Sequence, residues 1–394
     1  MIVDVGPIAH GGHCVARAEG RVIFVRHALP GERVRIEITE RKKAFWRADA
    51  VEVLSASPDR VTPPCRFSGP GGCGGCDFQH VSPDGQQRLK TQVLQEQLVR
   101  LGGLPADQAE RYRVRALPGG PLAWRSRMQY AVGRDGRAGL RRHRSHDIVP
   151  VDRCPIADER IQEADVLDRN WTGSSVVGVV AADQDEVTVY TQRDRRGRAR
   201  VVSGPRRVNQ IVSGHWFDLD AETFWQVHTL AADVLAAAVV RLAEPADGDV
   251  VWDLFAGAGL FTAVLADEVG RRGQVVAVET DRGGHIDQNL ATLPQARAVF
   301  GDVARTIPRL PSPDLVVLDP PRAGAGPEVV AAVTAAAPRR IVHVACDPAP
   351  LARDLRQFLD AGYRLESLDG YDIFPMTQHF ETIAVLTKSG SGER

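Results

Sequence analysis

Lysine is nearly absent from this chain: of the 49 basic residues among its 394, only Lys42, Lys43, Lys90 and Lys388 are lysine. Arginine dominates as a background, so its abundance alone says little about partners. A surplus of charge is missing too. With a net charge of −1 and a sequence pI of about 6.8, no global field steers the molecule toward nucleic acid, and any such contact must come from local patches. No run approaches the ~18 consecutive apolar residues of a membrane helix, and Met1 leads into Ile2-Val3-Asp4 without a basic and then apolar leader. A cytoplasmic protein without membrane contact is expected. Hydrophobic residues at 43% and charged residues at 25% are ordinary for a globular chain. The length suggests two or three domains at ~100 to 200 residues each.

Cysteine is scarce but grouped. The six stand at 14, 65, 73, 76, 154 and 346, a pattern that a disulfide framework in the cytosol does not explain. Cys65, Cys73 and Cys76 are spaced by seven and by two residues, and Cys154 follows after 77 more. Structural zinc more often uses two close pairs, whereas three nearby thiolates with a distant fourth suit a [4Fe-4S] cluster. A fourth thiolate leaves no open iron, so a structural or substrate-positioning role is expected. Cys14 is read as structural.

The texture of the chain changes twice. Residues 1 to 57 alternate apolar and polar in short runs (Val22 to Val25, Arg33 to Ile38, Ala48 to Val53) separated by Gly11-Gly12, Gly20 and Pro30-Gly31, which predicts a small antiparallel β-barrel. A stiff linker at Ser57-Pro58 and Pro63-Pro64 leads into the cysteine-rich segment. From Gln86 to about Leu101, Leu89, Val93, Leu94 and Leu98 share one helical face. Short β-like runs fill roughly 111 to 217. From about 221, long Ala/Val/Leu helices alternate with apolar strands, the signature of a parallel α/β sheet. The tail after Lys388 is expected to be disordered.

Within that α/β part, the strand Val250 to Phe255 runs directly into Ala256-Gly257-Ala258-Gly259, where glycines let backbone pass close to a ligand. A second strand ends in Glu279, 20 residues after Gly259, placed to accept hydrogen bonds from ribose hydroxyls. A dinucleotide and S-adenosylmethionine both use this layout. The dinucleotide fingerprint wants a third glycine where Thr262 stands, whereas Asp-x-Phe-x-Gly-x-Gly resembles motif I of class I methyltransferases. Leu315 to Leu318 ends in Asp319-Pro320-Pro321-Arg322. Enzymes that methylate exocyclic amines commonly carry an aromatic after the prolines, so Arg322 points away from amine chemistry. Ile341 to Ala345 is followed by Cys346-Asp347-Pro348 and a helix including Leu351 to Leu359. Cys346 is therefore expected at a helix N-terminus, exposed, with a lowered pKa. Glu381 stands at the start of the last apolar strand.

Taken together, these motifs resemble the RNA uridine-5 methyltransferase family, in its branch with an N-terminal TRAM domain and an iron-sulfur cluster. The resemblance runs over nearly the whole chain. Phe24-Val25 and Leu29-Pro30-Gly31-Glu32 fall in the TRAM places, Cys73-Gly74-Gly75-Cys76 with Gln79-His80 in the cluster loop, and Phe224 to His228 just ahead of motif I. Three positions depart from the family: the first cluster spacing is seven rather than five, Asp347 replaces asparagine, and Leu260 replaces a polar residue.

The resemblance implies a Rossmann-like α/β catalytic domain at 221–390, an OB-like TRAM β-barrel at 1–57 and a β-rich iron-sulfur central domain at 58–220, with the helix of residues 85 to 105 packed on the catalytic part. It places S-adenosylmethionine against Gln226, Phe255, Gly257, Gly259, Glu279 and Asp319, a [4Fe-4S] cluster on Cys65, Cys73, Cys76 and Cys154, and assigns Cys346 as nucleophile and Glu381 as base. Carbon 5 of a pyrimidine is a poor nucleophile until a thiolate adds at carbon 6, after which a base must remove the carbon-5 proton. The expected enzyme is a monomer acting on RNA, with large-subunit ribosomal RNA favoured. The alternatives are transfer RNA, cytosine-5 methylation, or a non-catalytic RNA-binding protein. Arg41, Lys42 and Lys43 in the barrel, Arg134 to Arg144, and Arg193 to Arg200 with Arg206 and Arg207 are local basic patches that could track phosphates, with Phe45 and Trp46 stacking bases. Arg125 and Arg127 are candidates for holding a uridine flipped out of its stack.

Overall fold

The computed structural model describes residues 1–194, 197–281 and 285–388. The tail after Lys388, with part of the Arg193 to Arg200 run, lies outside the described residues. β1 (Ile2–Ala9), β2 (His13–Ala18), β3 (Arg21–Arg26), β4 (Arg33–Arg41) and β5 (Phe45–Ser55) close a barrel in the order β1-β2-β3-β5-β4. Its strands obey the two-residue period. Val3 and Val5, Ile23 and Val25, Val34 and Ile36 are buried inside, while their neighbours face out. The buried carboxylate of Glu32 accepts from Arg60 Nε at 2.5 Å, Arg60 Nη2 at 2.7 Å and Leu29 N at 2.8 Å, a full set of partners that makes its burial tolerable.

The helix α1 (Pro83–Arg100) starts where Ser82 Oγ accepts from Gly85 N and Pro83 opens the first turn. Leu89 and Val93 sit in the barrel core, and Leu94 and Leu98 sit in the core of the large sheet. One helix therefore belongs to both. Between them Lys90, fully buried, donates from Nζ to Asp372 Oδ1 at 2.5 Å and to Phe374 O at 3.1 Å. Burial pushes the Lys90 ammonium down, and Asp372 opposes that shift.

After α2 (Ala106–Ala109) and β6 (Val114–Ala116), β7 (Arg127–Val132), β8 (Ala138–Arg141), β9 (Ile148–Val149), β10 (Val176–Ala181), β11 (Val187–Gln192) and β12 (Arg200–Ser203) form a sheet in the order β12-β11-β10-β7-β8-β9, with α3 (Glu159–Glu163) beside it. The hairpin β13 (Arg207–Val212) and β14 (His215–Asp220) turns Val208, Phe217 and Leu219 into the catalytic core.

The remaining elements are α4 (Ala231–Ala243), β15 (Val250–Leu254), α5 (Leu260–Val269), β16 (Gln274–Glu279), α6 (Ile286–Asn289), β17 (Ala296–Phe300), α7 (Val303–Thr306), β18 (Leu315–Leu318), α8 (Gly326–Ala336), β19 (Arg340–Ala345), α9 (Pro348–Asp360), β20 (Tyr363–Asp372) and β21 (Glu381–Lys388). Their sheet has the order β17-β16-β15-β18-β19-β21-β20-β6. The strands from β17 to β19 are mutually parallel, β21 is antiparallel to β19 and β20, and β6, from the middle of the chain, runs parallel to β20. The core strands β15, β16, β18 and β19 are covered on both faces, which is why they read as unbroken apolar runs. Strand order reverses between β15 and β18, the place where such sheets open a ligand crevice at the strands' carboxyl ends. Among the described residues no helix is long and apolar enough to cross a membrane.

Lys90→Ala should lower unfolding stability by about 3 to 5 kcal/mol, because Asp372 is left charged and buried. Lys90→Met combined with Asp372→Leu should recover most of that loss, as read by urea unfolding of the three proteins.

Candidate active site at the carboxyl edge of the large sheet

The turn after β15 is built on strain. Phe255 holds φ at 66°, Gly257 at 57° and Gly259 at 91°, a left-handed conformation that costs little for glycine but about 1 kcal/mol or more for phenylalanine. A β-carbon on Gly259 would come within 3.1 Å of Ile286 Cγ1. The Glu279 carboxylate at the end of β16 closes the turn, accepting from Gly257 N at 2.8 Å, Thr280 N at 2.6 Å and Asp281 N at 2.9 Å. Behind it, fully buried Asp253 accepts from Thr262 Oγ1 at 2.5 Å, while its other oxygen has no partner. Thr262, at the position where a dinucleotide site would want glycine, thus serves to hold this carboxyl. Burial pushes Asp253 up to about 6. Asp319, at the end of β18, is raised as well, by burial and by the charge of Asp253.

Across the crevice, the register of β19 with β21 sets Ala345 opposite Thr382, and Thr382 Oγ1 donates to Ala345 O at 2.9 Å. Cys346 directly follows Ala345 and Glu381 directly precedes Thr382, and the charges of both Glu381 and Asp319 act on the Cys346 thiol. Glu381 is only 4% exposed, so it is not a solvated strand-end acid. Burial and the charge of Asp319 raise its carboxyl well above the usual range, and Arg322 opposes them. Gln226 lies half-buried in the loop ahead of α4.

The expectation of an exposed Cys346 with a lowered pKa is overturned. Cys346 does precede α9, whose N-cap is Asp347 accepting from Ala349 N at 2.9 Å. Yet the thiol is half-buried, and burial, then Glu381 and Asp319, push it up to about 12 against the pull of Arg322. Burial, with the carboxyls of Glu381, Asp319 and Asp347, outweighs one helix end, whose effect fades within a turn. Arg322, read in the sequence only as an argument against amine chemistry, is the cation that favours charge on both Cys346 and Glu381. The signal was present as an arginine just beyond Asp-Pro-Pro at a strand's carboxyl end.

Cys65, Cys73, Cys76 and Cys154 all line one cavity of about 600 Å³, together with Arg125 and Arg127. Gly75 N points at Cys73 Sγ at 3.4 Å, and Gln79 Nε2 at Cys76 Sγ at 3.3 Å. All four are free thiols. The expected ligand set is therefore brought to one cavity but not closed: among the described residues, no group of three or more His, Cys, Asp or Glu side chains stands in a metal-holding arrangement. Cys14 is buried in the barrel, donating to Ala28 O at 3.3 Å, as a structural cysteine should.

The basic patches resolve unevenly. Arg41 lies 5.3 Å from the centre of the Trp46 ring and Lys42 lies 5.8 Å from that of Phe45, so cations already cover these rings. Arg41, Lys42 and Lys43 are exposed. Arg206 and Arg207 pair with Asp220 and Asp218, which lowers the positive charge of that patch. Arg125 Nε donates to Arg127 O at 3.0 Å, and Arg127 Nη1 to Ala221 O at 3.1 Å and Thr223 O at 3.0 Å. Both arginines thus fasten the β7 region, with Arg127 Nη2 left buried without a partner.

The family description "TRAM domain" matches residues 1–51, and "tRNA (Uracil-5-)-methyltransferase" matches residues 312–389. An uncharacterized RNA methyltransferase of Streptomyces avermitilis is 43% identical over 99% of this chain and 98% of its own length. The chain belongs to the RNA uridine-5 methyltransferase family. A second member, from Bifidobacterium longum, is 36% identical over 98% of this chain and 96% of its own. The crystal structure of Pyrococcus abyssi tRNA (uracil-54, C5)-methyltransferase with S-adenosyl-L-homocysteine superposes with a TM-score of 0.72 at 22% identity, over 98% of this chain and 99% of that one, and shows the shared fold. The protein is thus an S-adenosylmethionine-dependent RNA methyltransferase of class I fold with a TRAM barrel. Its cofactor is therefore S-adenosylmethionine rather than a dinucleotide.

Because the Asp253 carboxyl is raised in the folded state, the unfolded chain gives up that proton first, and stability falls as pH rises from about 4 to about 6. Asp253→Asn should remove this fall, leaving the variant more stable than the parent by about 1 to 3 kcal/mol at pH 7 and no more stable at pH 4. Melting temperatures across that range check it.

Proposed function

We propose that the protein transfers the methyl group of S-adenosylmethionine to carbon 5 of a uridine in RNA through a covalent bond to Cys346. The observation that carries this reading is the clustering of Cys346, Glu381 and Asp319 where the β19–β21 register ends, close enough for their charges to act on one another. Bound in the crevice, S-adenosylmethionine supplies an electrophilic methyl. Glu279 would accept from its ribose hydroxyls, and Asp319, Phe255, Gln226 and the backbone at Gly257 and Gly259 would line its seat.

With its thiol proton passed to solvent water, Cys346 adds as the thiolate through Sγ to carbon 6, the electron pair of the 5,6 double bond moving to carbon 5. Carbon 5 takes the methyl, leaving S-adenosylhomocysteine. Glu381 then accepts the carbon-5 proton, the pair restores the double bond, and the bond from sulfur to carbon 6 breaks. Arg322 offsets the cost of a thiolate beside Asp319 and Glu381, and a base with a raised pKa is suited to proton removal near neutral pH.

The substrate is read as large-subunit ribosomal RNA, following the combination of TRAM barrel and four cysteines. Transfer RNA is the second reading, favoured by the matching family, tRNA (Uracil-5-)-methyltransferase, and by the Pyrococcus tRNA (uracil-54, C5)-methyltransferase. The exposed Arg41, Lys42 and Lys43 offer phosphate contacts, and Arg125 and Arg127, on the cavity of the four cysteines, are the candidates for holding the flipped uridine. Cys65, Cys73, Cys76 and Cys154 would hold a [4Fe-4S] cluster as a structural brace. Two N–H groups aimed at two of the sulfurs, and the convergence of all four thiols on one cavity, support that set.

With a 5-fluorouridine RNA and S-adenosylmethionine, the protein should form an adduct that survives a denaturing gel. Cys346→Ala should abolish it, and Glu381→Gln should accumulate methylated adduct on ordinary RNA. No adduct, together with no labelled methyl transfer to RNA from a deletion strain, would refute the reading. Mapping 5-methyluridine and 5-methylcytidine in ribosomal and transfer RNA of that strain assigns the target. Anaerobically purified protein should be brown and lose that colour in Cys76→Ser, whereas colourless protein containing zinc counts against the cluster.

A further inference from the structure

The barrel touches the loops that carry both proposed catalytic groups. Its β1–β2 turn, residues 10 to 12, lies so close to the loop before β21 that a β-carbon on Gly12 would stand 2.8 Å from Gln378 Cβ. In the same turn His10 Nε2 donates to Asp347 Oδ1 at 3.0 Å. That oxygen also accepts from Ala349 N at 2.9 Å, so one atom joins the barrel to the first turn of α9. Asp347 is the residue next to Cys346, and it replaces the asparagine common in the family. An aspartate there adds a negative charge beside the thiol, and that charge counts among those raising Cys346.

We propose that His10 is a positioning residue of the methyl-transfer centre: by holding and neutralising Asp347 it fixes the Cys346 turn and lowers the cost of the thiolate. The barrel is then a working part of the active site as well as an RNA tether. This rests on Cys346 being the nucleophile.

The groups that set the pair's charge come from three elements. Asp347 raises the His10 pKa by hydrogen bond and charge, Glu96 on α1 raises it further, and burial and Arg353 on α9 oppose them. His10 and Ala349 N lower Asp347 against its burial, with help from His379. A histidine raised in this way is charged below its folded pKa and loses its effect as pH rises through it.

The test uses the full chain and two readouts. Iodoacetamide labelling of Cys346 without RNA, followed by mass spectrometry from pH 5.5 to 8.5, should be about three- to tenfold slower in His10→Ala near pH 6, the equivalent of half to one pKa unit. The difference should vanish at the alkaline end. Asp347→Ser keeps a side-chain cap but removes the charge. In that background His10→Ala should have no further effect, the mark of a residue acting through its partner. In steady-state methylation, His10→Ala should lower kcat with KM for RNA within about twofold. Identical labelling profiles, full additivity with Asp347→Ser, or a raised KM with kcat unmoved would each overturn the proposal. Because labelling needs no RNA, it reads the pair even if Cys346→Ala shows that uridine methylation is the wrong reaction.

Discussion

The register of β19 against β21 is the constraint on which the catalytic edge depends. Side chains alternate along a strand, so a slip of one residue would turn Thr382 away from Ala345 and send Glu381 to the opposite face of the sheet. Ladder bonds from Arg340 to Ala345 and the Thr382 hydroxyl bond to Ala345 O hold that register in a dry interior. The parallel strands β15 and β18 then need only end at the same level for Asp319 and the glycine turn to meet the cysteine.

Crowding acids at one edge has an electrostatic consequence. Asp253, Asp319 and Glu381 each gain a raised pKa from burial, and each charged neighbour adds to the rest. The thiol of Cys346 is held high for the same reason. A bound sulfonium would bring positive charge into this region, and Arg322 already does. The site is thus one in which ionisation depends on what enters it, which is how buried groups are kept inactive until substrate arrives.

The barrel, the cysteine loop and the large sheet are joined by a few specific contacts. α1 inserts Leu89 and Val93 into the barrel and Leu94 and Leu98 into the catalytic core, with the Lys90–Asp372 pair between. Asp77 in the cysteine loop accepts from Gln378 N at 3.2 Å and lies 3.7 Å from Arg26 of the barrel. These tie the segment leading into Glu381 to both smaller modules, so the path from Asp372 to Glu381 is held from several sides.

Much of the catalytic sheet was legible because local signals coincide there. The buried strands at 250, 274, 315 and 340 are unbroken apolar runs, and their ends carry the glycine turn, Glu279, Asp319 and Cys346. The long strand Tyr363–Asp372 was missed, because its Glu366, Asp369 and Gly370 break the apolar pattern. β6 was missed as well, since three residues at 114 to 116 cannot announce that they pair with a strand some 250 residues later. The sequence by itself determined the glycine turn, the strand-end acids, the cysteine grouping and the alternating barrel, each of which is local geometry and side-chain period. Only the tertiary structure decided that the Cys346 thiol is raised rather than lowered and that His10 reaches Asp347. Both are sums over charges brought together from distant parts of the chain, and such sums have no local signature.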